Sequence, residues 1–303
     1  MEKIIIICGP TGIGKTSFAI SAAKQFDGEI IGADSMQIYK HMDIGTAKPA
    51  PEELKQARHH LVDFLDPKDD FDAGSYVKTA DKAIEDIISR GKIPIIAGGT
   101  GLYIRALLNG LFRSESLCKK TMSQLEKELE EKGSLSLYQK LEHCDPAAAK
   151  NIHPNDSFRL IRALEVYQTT GKKISDQQRT HNFDDQRYSS IKIGLTMDRE
   201  KLYDRINKRV DIMLDQGLLK EVTTLVEDGY SFDLKPMQSI GYKHMAMFIK
   251  NEIDWEEAVR LLKRDTRRYA KRQFTWFHKD KDIHWFFPSQ DDLAQNLIKE
   301  FLT

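Results

Sequence analysis

The stretch Lys3 to Thr16 reads KIIIICGPTGIGKT. Ile4 to Cys8 is a short apolar run without polar alternation, which predicts a strand buried on both faces. Gly9-Pro10-Thr11-Gly12-Ile13-Gly14-Lys15-Thr16 then matches G-x-x-x-x-G-K-[ST], between that strand and an amphipathic helix predicted from about Thr16 to Phe26. Glycines let backbone N–H groups turn inward around an anion, and the helix N-terminus adds its positive dipole end. Lys15 supplies a point charge, and the Thr16 hydroxyl can reach a magnesium ion. The eight residues from Gly9 to Thr16 are therefore a predicted site for a di- or triphosphate group, with Thr16 as the metal ligand.

Working outward, apolar strand candidates alternate with helix candidates: IIIIC, EIIGAD, a helix from about Ser75 to Ser89, then IPIIAGG. In that helix Val77, Ala80, Ala83, Ile84, Ile87 and Ile88 share one face, and Gly91 stands where a C-terminal cap belongs. This βαβ series predicts a P-loop NTPase-like α/β fold, a parallel sheet flanked by helices. From about Arg113 to Tyr188 only helical stretches occur, broken at Gly133, Asp145-Pro146, His153-Pro154 and Gly171. Strand character returns at Ser190 to Met197. Helices are predicted from about Arg199 to Gly217 and from Trp255 to Phe277, with a last short strand near IHWFF. The expected organisation is a core domain of residues 1–112 and 189–303 with an all-helical insertion domain, 113–188.

Of the 303 residues, 40% are hydrophobic and 30% charged, a globular balance. No apolar run approaches the roughly 20 residues of a membrane span, so no membrane association is expected. The 46 basic and 46 acidic residues cancel, so only local clustering can point to a polyanionic partner. Cys8, Cys118 and Cys144 form no CxxC pair and suit reduced thiols. With no cleavable leader after Lys3, a cytoplasmic protein is expected. Adjacent His59 and His60 do not share one face of a strand or helix and are read as structural.

A phosphate loop alone suggests a kinase or NTPase, but other parts resist that. The strand IPIIA runs into Gly98-Gly99-Thr100 and not into the Asp an NTPase would carry, and no NKxD guanine reader occurs. The carboxylate at a strand end is Asp34, in EIIGADSMQIYK. Ligands of open α/β sheets bind at the carboxyl ends of the strands, so Asp34 and Thr100 should face the loop. A small-molecule or nucleoside kinase with Asp34 as its base is one alternative, and a non-catalytic RNA-binding protein another. Between Arg260 and Lys281 lie nine Lys or Arg opposed by Asp265 and Asp280, with Tyr269, Phe274, Trp276 and Phe277 interleaved. Cations for phosphates beside aromatics for bases suit RNA.

Taken together, GPTGIGKT, ADSMQIYKHMDIGTAKP (Ala33 to Pro49), HHLVDFLDP (His59 to Pro67), AGGTGLYIRALLNGL (Ala97 to Leu111), RLIRALEVYQTTGK (Arg159 to Lys172), QSIGYK (Gln238 to Lys243) and RRYAKRQFTWF (Arg267 to Phe277) resemble the tRNA dimethylallyltransferases of bacterial type. The resemblance runs over nearly the whole chain. It implies transfer of a dimethylallyl group from dimethylallyl diphosphate to the exocyclic amine of the adenine 3′ of the anticodon, by a monomer using Mg2+. The loop would hold the leaving diphosphate. By the same resemblance Asp34 is the general base, Thr100 hydrogen-bonds the bridging oxygen, and Arg209 stabilises the departing anion. The tRNA contacts map to Asp34, Ser35, Met36 and Gln37; to Arg159, Leu160, Ile161 and Arg162; to Gln238, Ser239, Ile240, Gly241, Tyr242 and Lys243; and to Lys271, Arg272, Gln273, Phe274, Thr275, Trp276, Phe277 and His278. The insertion and the segment near Lys271 are expected to clamp the anticodon stem-loop. Two positions depart from the family pattern: Gly12 stands where relatives often carry Ala, and Phe158 where a polar residue is expected.

Overall fold

A computed structural model describes residues 1–110, 119–181 and 186–303. The predicted start of the insertion at Arg113 and the thiol of Cys118 lie outside the described residues. The chain forms two compact units, one of Met1–Leu108 with Gln186–Thr303 and one of Asn109–Asp185.

The first unit is built on strands β1 (Lys3–Cys8), β2 (Gly28–Ala33), β3 (His59–His60), β4 (Ile93–Gly98), β5 (Ser189–Leu195) and β6 (Ile283–Phe286). They form one sheet in the order β3-β2-β4-β1-β5-β6, parallel throughout. Helices α1 (Lys15–Gln25), α2 (Pro51–Leu54), α3 (Ala73–Ser89) and α4 (Gly101–Asn109) belong to its first part. The second unit holds α5 (Lys119–Lys132), α6 (Ser134–Cys144), α7 (Pro146–Asn151), α8 (Ser157–Thr170) and α9 (Ile174–His181) around Leu125, Leu137, Leu141, Leu160 and Leu164. The first unit resumes with α10 (Arg199–Asp215), α11 (Leu218–Glu227), α12 (Tyr242–Ile249), α13 (Trp255–Phe277) and α14 (Asp291–Leu302).

Why the unbroken isoleucine run forms a strand is plain from its two faces. Ile4 and Ile6 pack with Tyr76, Ile84 and Ile87 of α3 and Leu107 of α4, whereas Ile5 and Ile7 pack with Phe18 of α1, Ile206 of α10 and Ile298 of α14. Each face is covered by helices, so a residue pointing either way loses water, worth about 1.5–3 kcal/mol for each such side chain. A third cluster joins Ile38 and Met42 to Val210, Val222, Tyr242 and Leu262.

Element ends differ from the sequence expectation for local reasons. α3 starts at Ala73, because the Asp72 side chain accepts the Ser75 N–H at 2.7 Å and caps the helix. α10 stops at Asp215, since Gly217, with φ 99°, opens the next helix instead of closing this one. His59 and His60 form the short edge strand β3, and the His60 ring lies 2.7 Å from a carboxylate oxygen of buried Glu29. Arg90 also grips that carboxylate, and its hydrogen bonding, with the help of His60, holds the Glu29 pKa down to about 2.

The sheet also places the site. Registers Cys8↔Gly98 and Ala33↔Gly98 set the carboxyl ends of β1, β4 and β2 side by side. The segments leaving these three strands begin at Gly9, Gly99 and Asp34, so they emerge on one edge.

Candidate active site

The loop from Gly9 to Gly14 links β1 to α1 and ends on Gly14, whose φ of 108° lies in the left-handed region and turns the chain into the helix. Lys15 folds back so that Nζ donates to the Pro10 carbonyl at 2.8 Å. From α10, the Arg209 guanidinium reaches the same loop, with Nη1 3.4 Å from Thr11 Oγ1. Arg209 is half-buried, while Lys201, Arg205 and Lys208 of the same helix are exposed. It therefore leaves the solvated face that its sequence context suggests.

Burial pushes the Lys15 pKa down to about 8, an effect that Arg209 reinforces and Asp34 opposes. Burial also lowers the pKa of Arg209, again against the pull of Asp34. Two cations held close together at a cost in solvation make a strong anion site, because a bound anion relieves both their desolvation and their repulsion. Cys8, at the end of β1, is buried, and that burial pushes its thiol up to about 12, so it stays neutral beside the loop.

Asp34 and Thr100 stand together at the adjoining strand ends. The Thr100 N–H donates to the Ala33 carbonyl at 3.0 Å, and the Ser35 N–H donates to Thr100 Oγ1 at 3.0 Å. Asp34 is half-buried, and its Oδ1 accepts N–H bonds from Met36 at 2.9 Å and Gln37 at 3.4 Å. These bonds use one carboxylate oxygen. The Tyr269 hydroxyl lies beside Thr100, and burial, then the charge of Asp34, raises its pKa. The structure thus brings Lys15, Asp34, Thr100 and Arg209 to one edge of the sheet.

The residues expected at tRNA divide into two groups. On α13, Lys271, Arg272, Thr275 and Trp276 are exposed, as are Arg268 before them and His278 after, forming a basic and aromatic ridge. Phe274 is partly buried against the sheet's helical cover. Gln238 is exposed and Lys243 lies 3.6 Å from Asp265, whereas Ser239 and Ile240 are half-buried. In the second unit Arg159 is exposed, with Asp156 at 3.2 Å, and Arg162 pairs with the buried Glu165. Phe158, the departure from the family pattern, is 78% exposed beside Arg159.

Other members of that set need correction. The side chains of Leu160, Ile161, Tyr242, Gln273 and Phe277 are buried, so RNA cannot reach them as the chain stands. Leu160 and Ile161 build the core of the second unit. The Tyr242 hydroxyl donates to Glu221 at 2.5 Å, and Gly241, with φ 100°, starts its helix. Gln37 spends its Nε2 on the carbonyls of Thr46, at 3.1 Å, and Ala47, at 2.9 Å, so it holds the neighbouring loop.

Two residues that position this edge act far from it in the sequence. Glu221 of α11 accepts the N–H groups of Asp43, Ile44 and Gly45 at 3.0, 2.7 and 3.1 Å, fixing the loop that Gln37 also grips. Gln273 joins Thr11 to Gly99. A signal for Gln273 did exist: Ala270, Gln273 and Phe277 follow i, i+3, i+7 spacing, which puts a polar residue on the inward stripe of an amphipathic helix.

Lys15 gives the site a pH signature. Above about pH 8 the empty site loses its proton, and a bound diphosphate restores it by raising the Lys15 pKa. Affinity for a diphosphate monoester is therefore expected to be flat below pH 8 and to fall as pH rises above it, by up to about tenfold per unit. Calorimetric titration between pH 7 and 9.5 checks this, and affinity constant across that range would refute it. The Lys15→Arg variant should remove the fall.

A family model described as IPP transferase matches residues 37–280. The chain is 48% identical over 301 residues to a tRNA dimethylallyltransferase of Desulfosudis oleivorans, covering 99% of this chain and 96% of that protein. Among solved structures, the full-length tRNA isopentenylpyrophosphate transferase of Bacillus halodurans is similar with a TM-score of 0.75 and 39% identity, over 100% of this chain and 97% of that one. A eukaryotic dimethylallyltransferase described as acting on tRNA gives a TM-score of 0.81 and 32% identity, over 98% and 78%. With its phosphate loop, its strand-end Asp34 and Thr100, and similarity running along its whole length, the chain belongs to the IPP transferase family.

Proposed function

We propose that the protein transfers a dimethylallyl group from dimethylallyl diphosphate to the exocyclic amine of the adenine just 3′ of a tRNA anticodon, releasing diphosphate. The observation that carries this is one sheet edge on which a cation-lined phosphate loop faces a carboxylate and a hydroxyl, in a chain of this family. Lys15, Arg209 and loop N–H groups bind the diphosphate and stabilise its added charge as the C–O bond breaks and its electron pair departs. Thr100 Oγ1 accepts from the Ser35 N–H at 3.0 Å, and its own proton, directed at the Ser35 hydroxyl at 3.5 Å, turns to the bridging oxygen when the diphosphate is seated. The amine forms the new C–N bond and gives its proton to Asp34. A base is required because the amine lone pair is delocalised into the ring. The adenine must leave its stack to reach this edge, at about a few kcal/mol that protein contacts offset.

The residues present fit magnesium. Among the described residues no group of three or more His, Cys, Asp or Glu could form a protein cage. Thr16, in the first turn of α1, offers a hydroxyl, and magnesium commonly combines few protein ligands with phosphate oxygens and water. When bound, it would supply charge neutralisation on the diphosphate. A kinase could use Asp34 as its base, but β4 ends in Gly98 and runs into Gly99 and Thr100 without the carboxylate an NTPase would carry there. We place the reaction in the cytoplasm, where bacteria modify tRNA, and in a monomer. No described helix is long and apolar enough to cross a membrane.

Transfer of label from dimethylallyl diphosphate to a tRNA transcript tests the proposal. Label should enter the RNA only when the adenine 3′ of the anticodon is present, and tRNA-independent ATP hydrolysis in place of transfer would refute it. The exposed ridge gives a second expectation. Replacing Arg268, Lys271 and Arg272 together by Ala should weaken tRNA binding and lower its salt slope by about 2 to 3, while dimethylallyl diphosphate affinity holds. Filter binding across a salt series measures this, and an unchanged slope would remove the ridge from the tRNA interface.

A further inference from the structure

Gln273 is the polar member of the buried stripe of α13, and its side chain is 5% exposed. Its Oε1 accepts the Thr11 N–H of the phosphate loop at 2.8 Å, and its Nε2 donates to the Gly99 carbonyl at 3.0 Å. The partners fix the orientation of the amide, because an N–H can only donate and a carbonyl can only accept. Glutamate would meet the first need and not the second; methionine would meet neither.

The glycine opposite is part of the same device. A Cβ on Gly99 would stand 2.2 Å from the Gln273 Nε2, so only glycine lets the amide approach. Strand pairing between β1 and β4 ends at Cys8↔Gly98. Beyond that register, Gln273 supplies hydrogen bonds that tie the loop after β1 to the turn after β4. The bond to Gln273 also engages the Thr11 N–H, leaving the anion to other loop amides and to Lys15.

We propose that Gln273 is a positioning residue of the transfer reaction. It sets the separation between the phosphate loop and the Thr100 turn, so that a diphosphate seated on the loop presents its bridging oxygen to the Thr100 hydroxyl. This rests on the dimethylallyl transfer reading given above. Loss of the amide leaves the cations that hold diphosphate in place and misaligns the hydroxyl that assists its departure. Misplacement of about 1 Å at a reacting centre costs on the order of 10² in rate.

The test compares Gln273→Met, Thr100→Ala and the double variant by single-turnover transfer with both substrates saturating, alongside dimethylallyl diphosphate affinity and thermal unfolding. Gln273→Met should bind dimethylallyl diphosphate within about threefold of the parent while transferring roughly 10²-fold more slowly. In the Thr100→Ala background the same change should alter the rate less than about threefold, because a residue acting through Thr100 has nothing left to position. Should Gln273→Met fail to fold, Gly99→Ala pushes on the amide from the opposite side and should give the same loss of rate at retained affinity. Multiplying losses in the double variant, or affinity falling as far as the rate, would overturn the proposal and leave Gln273 as a cross-link of the fold. A parent enzyme that transfers no label would defeat the functional reading itself, which separates the two failures.

Discussion

Lys15→Ala is expected to weaken dimethylallyl diphosphate binding by about 10- to 100-fold, the cost of losing a charged hydrogen-bond donor worth roughly 1.5–3 kcal/mol. Turnover should fall as well. Charge accumulates on the diphosphate as the C–O bond breaks, so an ammonium beside it stabilises the transition state more than the ground state. Nothing else at the loop replaces it in kind. Arg209 approaches from α10 at Thr11, 3.4 Å from its hydroxyl, whereas Lys15 folds over the loop to Pro10. Truncation also leaves the Pro10 carbonyl without that donor, a neutral group whose loss of one bond is minor beside the loss of charge. Calorimetric binding together with single-turnover transfer measures both parts. A variant with parental affinity would mean that the diphosphate does not sit on this loop.

The sequence made some of this site legible and not the rest, for physical reasons. Ile4 to Thr16 is local: an apolar run, a glycine-rich turn and a lysine at a helix start specify strand, loop and helix within one short window, and with them the proposed anion site. Asp34 and Thr100 needed one further step, the rule that open parallel sheets bind at their carboxyl ends, and the registers through Gly98 place them so. What stayed hidden is non-local. Glu221 follows Gly217, Leu218, Leu219 and Lys220 at the start of a short helix, with nothing local to mark it, yet it takes the N–H groups of residues 43–45, far away in the chain. Gln273 sits among arginines and aromatics that suit RNA, and charge pattern outweighed its inward spacing. The same bias placed Phe277 and Tyr242 at the RNA, although burial governs both. A basic stretch on a helix identifies the ridge that faces water; it does not say which of its residues turn inward.

Asp34→Asn is the sharper experiment, because the substitution leaves the local structure its hydrogen bonds. Asp34 Oδ1 accepts from Met36 at 2.9 Å and Gln37 at 3.4 Å, and an asparagine carbonyl can accept both. What changes is the second oxygen, which becomes an NH2 that cannot take a proton. Dimethylallyl diphosphate affinity should therefore hold near the parent value, since its charge is met by Lys15, Arg209 and the loop. The flipped adenine loses an acceptor for its amine and meets a donor instead, so tRNA affinity falls only in the part contributed by that base. Turnover carries the main loss, roughly 10²- to 10⁴-fold for a missing general base. The contrast with Lys15→Ala is diagnostic, because one variant loses dimethylallyl diphosphate binding and rate together and the other loses rate while keeping that binding. Single-turnover transfer by Asp34→Asn at saturating concentrations of both substrates decides the matter. A rate within a few fold of the parent would reduce Asp34 to a turn residue, its carboxylate serving only the Met36 and Gln37 amides, and the proton would have to leave by another route.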